Sequence, residues 1–225
     1  MSSDESLRKV LGLDRGKGDP DIPDGWETTK IKFVLDNMIA GGTPTTSNED
    51  YWAENDEGIP WVKISDITGH EQISETDEQV TTEGVEEANL TIHPSGTLLV
   101  SMYASLGATA VLDNPATTNQ AILALYPKEE VIRLKFLQIY IKAIRPYLHS
   151  LSMSNTQDNL SATAVGNISI ILPPITKQKE IELAYSGKSE AIKRAEERLN
   201  HLSGLLSRYE KTIVADAVTG ELDEY

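Results

Sequence analysis

Short runs of β-forming residues bounded by turn residues recur through the first three-quarters of the chain. Ile59-Pro60-Trp61-Val62-Lys63-Ile64, Thr97 to Met102, Ala108 to Leu112 and Asn167 to Leu172 each read as a strand. A further short apolar element is expected at Ile31, Phe33 and Val34, ahead of the turn Gly41-Gly42-Thr43-Pro44. From Val131 to His149 the period changes: Leu134, Leu137, Ile141, Ile144 and Leu148 recur on one face, predicting an amphipathic helix. Many short strands, one packed helix and no regular βαβ alternation define the expected fold class. It is α+β: a strand-rich mixed globular domain followed by a long C-terminal coiled-coil-forming helix.

That last helix is read from a heptad seam between Lys177 and Ala217. Position a is occupied by Tyr185, Ile192, Leu199, Leu206 and Ile213, and position d by Ile181, Lys188, Ala195, Leu202 and Tyr209. Pro173 and Pro174 set its start and Gly220 its stop. At 1.5 Å per residue, roughly 40 residues make a rod of about 60 Å, longer than the diameter of the preceding domain. Such a helix is built to pair, although Lys188 and Gly204 weaken the stripe and leave open a helix folded back on its own core. The expected divisions are a flexible leader over residues 1–24, a body over 25–174, the long helix over 175–218 and a tail over 219–225.

The chain has 225 residues and no cysteine, so disulfides and thiolate metal sites are excluded, which suits a cytoplasmic location. The longest apolar stretch, Ile168 to Ile175, is far short of a membrane span, and residues 1–24 lack a secretory apolar core. The formal net charge is −15, and it is uneven. Glu49 to Glu87 holds thirteen carboxylates with Lys63 as the sole base, whereas Lys128 to Arg145 holds five bases and two acids. Charge alone argues against nucleic acid, because phosphate neutralisation supplies most non-specific affinity. Two readings of the acidity stay open, adaptation to a salty cytoplasm or a docking face for a basic protein.

No catalytic constellation survives inspection: there is no phosphate-binding glycine loop, nucleophile elbow or paired-histidine metal motif, and no cofactor is implied. The chain does carry polar side chains beside strands and turns: Ser101, Tyr103, Ser105, Asn119, Gln120, Asn155, Thr156, Gln157 and Asn159. Amides and hydroxyls of this kind can read base edges, and they can equally cap turns and helices.

The order of segments is more specific than any one of them. Pro23-Asp24-Gly25-Trp26-Glu27, Gly41-Gly42-Thr43-Pro44, Tyr51-Trp52, Gly58-Ile59-Pro60-Trp61-Val62, Pro94-Ser95-Gly96-Thr97, Ser105-Leu106-Gly107, Thr118-Asn119-Gln120, Gln157-Asp158-Asn159-Leu160-Ser161 and Ile170 to Ile175 follow one another. In that order they resemble the target recognition domain of type I restriction-modification specificity subunits. The resemblance implies a non-catalytic subunit whose domain reads one half-site of a bipartite double-stranded DNA target. Its helix would space the half-sites and hold methyltransferase (M) subunits, and through them a restriction/translocase (R) subunit.

A full-length subunit of that family resembles two such units in tandem, and this chain has one. Pairing with a copy of itself or another half-subunit is therefore expected, or else the chain is an excised domain or gene remnant. The resemblance also makes the polar residues named above candidate base readers, with Lys63, Lys128, Arg133 and Lys135 as candidate phosphate contacts. The pairing seam would be Ile181, Tyr185, Ile192, Leu199, Leu202, Leu206, Tyr209 and Ile213. Segments shared across a family cannot distinguish its members' targets, so the reading surface could instead lie in Asn48 to Asp56 or Gly69 to Glu87. An acidic coiled-coil module that docks a basic protein is the rival of different class, and a metal-dependent nuclease a third.

Overall fold

A computed structural model describes residues 23–54, 57–153 and 160–219, with side chains undescribed at 150–153 and 213–219. The expected leader up to residue 22, the candidates Asn155 to Asn159 and the tail from residue 220 lie outside the described residues. The chain divides into two compact units, one ending at Glu182 and one beginning at Leu183.

The first unit is built on a five-stranded sheet in the order β2 (Leu35–Ala40), β10 (Ile122–Pro127), β7 (Leu98–Ser101), β8 (Thr109–Leu112), β5 (Gln72–Ile73). Neighbours are antiparallel except β5 and β8, which run parallel. Both faces of the central strands are buried, because successive side chains alternate across the pleat. Leu98, Val100, Leu123 and Leu125 enter the large core, while Leu99, Ile122 and Ala124 enter a second, smaller one. This explains why Leu98-Leu99-Val100 reads as a continuous apolar run rather than an alternating one.

The large core is closed by α3 (Leu134–Ala143), through Phe136, Leu137, Tyr140 and Ile141, and by the antiparallel ribbon of β1 (Glu27–Lys30) with β11 (Ser169–Leu172). The expected first apolar element is a 3-10 turn at Ile31–Phe33 that drives Ile31 into this core. The smaller core is closed by α1 (Ile64–Ile67) and by a four-stranded sheet in the order β3 (Trp52–Ala53), β6 (Glu78–Val80), β4 (Ile59–Val62), β9 (Thr117–Thr118). Short helices α2 (Thr82–Glu87) and α5 (Ala162–Gly166) complete the unit.

The single helix expected over Val131 to His149 is two. Arg133 has extended backbone and is the N-cap of α3; Ile144 ends α3, its N–H bonding to Tyr140, and α4 (Arg145–Met153) follows at once. Pro146 is the cause: lacking an N–H it cannot continue the ladder to Lys142, but it is tolerated in the first turn of a new helix.

The strand-rich body and the long helix are both present. The helix, α6, runs Ile175–Thr219, 45 residues or about 68 Å at 1.5 Å each. Its first turns belong to the first unit. Ile181, expected on the pairing seam, is instead 7% exposed and part of the large core, because the opening turns are seated in the body. In the second unit the seam residues Ile192, Leu199, Leu202, Leu206 and Tyr209 are exposed, Leu199 and Tyr209 by 66% each. Tyr185 is half-buried, and the side chain of Ile213 lies outside the described set.

Candidate nucleic-acid interface

Three segments that are distant in sequence meet beside the four-stranded sheet. The Gly42 N–H donates to Thr118 O at 2.9 Å, the Gly42 carbonyl accepts from the Trp61 indole N–H at 3.0 Å, and Asn119 N donates to Val62 O at 3.0 Å. The Thr43 hydroxyl closes the ring by donating to the Gln120 side-chain oxygen. A Cβ at Gly41 would stand 2.1 Å from Thr118 O, so only glycine permits this approach. Gly-Gly-Thr-Pro, Ile-Pro-Trp-Val and Thr-Asn-Gln are therefore one structural knot. Trp61 is buried within it and meets Trp52 edge-on at 5.0 Å.

Parts of the two segments suspected of carrying variable reading residues, 48–54 and 78–87, form one lobe, whereas Gln72–Ile73 pair with β8 in the five-stranded sheet. Trp52 and Ala53 of β3 pair with Val80 and Gln79 of β6, and the Thr81 hydroxyl donates to Asp50 O at 2.8 Å. Gly84 of α2 packs so closely on Tyr51 that a Cβ there would lie 2.5 Å from its carbonyl. Thr45 fastens the far side through its N–H and hydroxyl to the Glu87 carboxylate, at 3.2 and 2.9 Å. Residues 48–54 and 78–87 thus share one surface, and it is acidic.

The polar segments meet around Met102, whose N–H donates to Ala121 O at 2.8 Å, but their side chains are used differently. Ser101 is buried and its hydroxyl donates to Tyr103 O at 2.7 Å, so it holds a turn. Tyr103 packs against the large core, and Ser105 accepts from the Thr68 hydroxyl at 2.9 Å. Asn119 turns inward, its side-chain oxygen accepting from Ala121 N at 3.1 Å; Gln120 stays exposed. Leu160, which follows Asn159 in the chain, donates its N–H to Met102 O at 3.2 Å.

Most of the named cations are occupied. Lys63 pairs with Glu78 at 2.7 Å, and that hydrogen bond raises its pKa. Lys135 and Lys142 both reach Glu71, at 3.2 and 2.5 Å, and the bond from Lys142 holds the Glu71 carboxyl below its usual range. Arg133 is bound to Glu182 at 2.8 Å. Lys128 differs, its ammonium donating to Phe33 O at 3.3 Å with no ion pair to a described carboxylate. Lys32 lies 5.1 Å from the centre of the Phe33 ring, which is 60% exposed, and Lys30 is exposed nearby on β1. Lys30 and Lys32 are not among the cations named from the sequence, and Phe33, expected in an apolar element, is exposed; no pattern groups them with Lys128, which reaches Phe33 only through the fold.

Among the described residues no three His, Asp or Glu side chains converge as metal ligands, and no helix is long and apolar enough to cross a membrane. Residues 23–182 match the family described as the type I restriction modification DNA specificity domain. The chain belongs to that family. The specificity domain so defined ends at Glu182, where the first compact unit also ends.

Among curated relatives, the MjaIX specificity subunit of Methanocaldococcus jannaschii is 31% identical over 169 residues, 73% of this chain and 38% of that protein. The HindI specificity subunit of Haemophilus influenzae is 28% identical, over 76% of this chain and 36% of that one. The matched region thus spans well under half of each relative. The fold is that of the HsdS subunit from Thermoanaerobacter tengcongensis, with a TM-score of 0.70 at 20% identity, over 97% of this chain and half (50%) of that one. A chain from a structural study of type I R-M complex assembly superposes with a TM-score of 0.76 at 20% identity, over 95% of this chain and 51% of that one.

Proposed function

We propose that the chain is a DNA sequence-recognition subunit of a type I restriction-modification system. Its specificity domain reads one half-site of a bipartite target, and the chain performs no catalysis of its own. The match of residues 23–182 to the DNA specificity family carries this reading. Within the domain, the acidic lobe of residues 48–54 and 78–87, with exposed Gln120, faces the bases, and Asn155, Thr156, Gln157 and Asn159, outside the described residues, stay candidate readers. The unpaired cations Lys30, Lys32 and Lys128 hold phosphates, since the other named bases already neutralise carboxylates of the domain itself.

The helix supplies the second half of the proposal. Its exposed stripe pairs antiparallel with a second copy, giving two-fold related domains and a palindromic target with a spacer, or with another half-subunit, giving two different half-sites; the paired helices carry methyltransferase subunits. Charge selects the register. With Leu199 of one copy facing Leu202 of the other, Ile192 faces Tyr209, and the flanks place Glu196 beside Ser203 and Ser189 beside Glu210. Shifting by one heptad sets Glu196 against Glu196 and Arg198 against Arg198; shifting the other way sets Glu196 against Glu210.

Mapping adenine methylation across the genome with and without this gene tests the reading. A split motif whose modification depends on the gene is expected. Unchanged methylation, together with capture of a basic protein by the acidic lobe, would instead favour the protein-docking module.

A further inference from the structure

The opening turns of α6 are held by a buried polar network. Gln178 is fully buried (0% exposed), and its amide is fully used: the oxygen accepts from Arg133 N at 2.8 Å and the nitrogen donates to Val131 O at 3.0 Å and Pro173 O at 2.9 Å. Glu182 is 8% exposed; its carboxylate accepts from Arg133 Nε at 2.8 and 2.9 Å and from Phe136 N at 3.1 Å. Arg133 is the N-cap of α3 and its side chain offers no acceptor to the orphan N–H groups of that helix. The acceptors come from α6 instead, with a negative charge where the α3 dipole favours one.

This network differs from ordinary packing in being directional. Ile181 alone would let the helix rock in an apolar socket, since dispersion contacts tolerate small rotations. Hydrogen bonds lose strength steeply with angle, so six of them on two side chains one turn apart, at positions 178 and 182, fix both the azimuth and the tilt of the helix root. The family match and the compact unit both end at Glu182, the last residue of this clamp.

We infer that Gln178 and Glu182 are positioning residues that fix the direction in which the long helix leaves the specificity domain, and so set the spacing between the two half-sites. The clamp stands on the geometry above; its consequence for DNA rests on the proposed function.

Because the chain has no cysteine, spin labels can be placed at will. The full chain carrying Ser95→Cys and Ser207→Cys, labelled and diluted with unlabelled chain, reports the intramolecular distance by double electron–electron resonance. The parent is expected to give one narrow distribution. Glu182→Ala is expected to broaden it at least twofold while the domain still unfolds cooperatively. Glu182→Gln, which keeps an acceptor for Phe136 N but loses the ion pair, should fall between, and it alone decides if Glu182→Ala does not fold.

Distributions as narrow in the variants as in the parent, or a parent already broad, would overturn the clamp. Selection of duplexes differing only in spacer length then reads the consequence: one length for the parent, several for Glu182→Gln. A single unchanged length despite a broadened distribution would overturn the link to spacing. Broadening with no DNA selected by any form would leave the clamp standing and sink the recognition reading.

Discussion

The indole N–H of Trp61 donates to the carbonyl of Gly42 at 3.0 Å, tying the first signature turn to β4 across the edge of the smaller core. With Thr118 O accepting from Gly42 N, it ties segments distant in sequence into one frame. Trp61→Phe should destabilise by about 1–3 kcal/mol, the cost of an unsatisfied half-buried carbonyl plus lost volume. Gly41→Ala should cost at least as much, because the new Cβ collides with backbone that cannot turn aside. Urea unfolding checks both. The target sequence recovered by any variant that still folds should be unchanged.

His93 is buried, with Nδ1 2.5 Å from the Tyr126 hydroxyl and no described partner for Nε2; burial pulls its pKa down from 6.5 to about 4. The unfolded chain therefore binds a proton that the folded chain refuses. Stability from this group is complete above about pH 6.5 and is lost as pH falls towards about 4. At pH ~5 the loss should reach roughly 2 kcal/mol. The Glu71 carboxyl, held low by Lys142, adds a loss of the same sign at lower pH. Unfolding free energies of the parent and His93→Gln, compared between pH ~7 and ~5, isolate the histidine. The parent should lose stability the variant keeps.

The strands at Ile59, Leu98, Thr109 and Ser169 and the 45-residue helix are legible because apolar runs and the heptad seam are local signals. The break at Pro146 was legible in principle, since proline is a local signal too, but the apolar stripe of Val131 to His149 runs straight through it. What sequence cannot convey is which cation meets which carboxylate. Lys63, Arg133 and Lys135 look free in sequence, and their partners Glu78, Glu182 and Glu71 lie 15, 49 and 64 residues away. Ile181 fits the seam perfectly by spacing yet packs into the core, since a heptad pattern does not record where the body ends.

If Lys30, Lys32 and Lys128 hold phosphates, replacing all three by glutamate should weaken binding evenly across sequences. The slope of log affinity against log salt should flatten by up to about 3, near 0.9 per contact removed. Titrations at several salt concentrations read this. A weakened preference among sequences at constant slope would assign these lysines to base reading.

The proposed register makes a covalent forecast. Ile192→Cys with Tyr209→Cys should cross-link two copies on mild oxidation, and Ile192→Cys with Leu202→Cys should not. The reverse pattern would shift the register by a heptad. Leu199→Glu with Leu206→Glu should leave a folded monomer by sedimentation.

The most direct test of sequence recognition is selection from a random duplex library by the full chain in the presence of cognate methyltransferase subunits, repeated across a range of salt. The account predicts enrichment of one bipartite motif with a fixed spacer, persisting at high salt where the repulsion of the acidic domain is screened. Retention of duplexes with no sequence preference at any salt would contradict it.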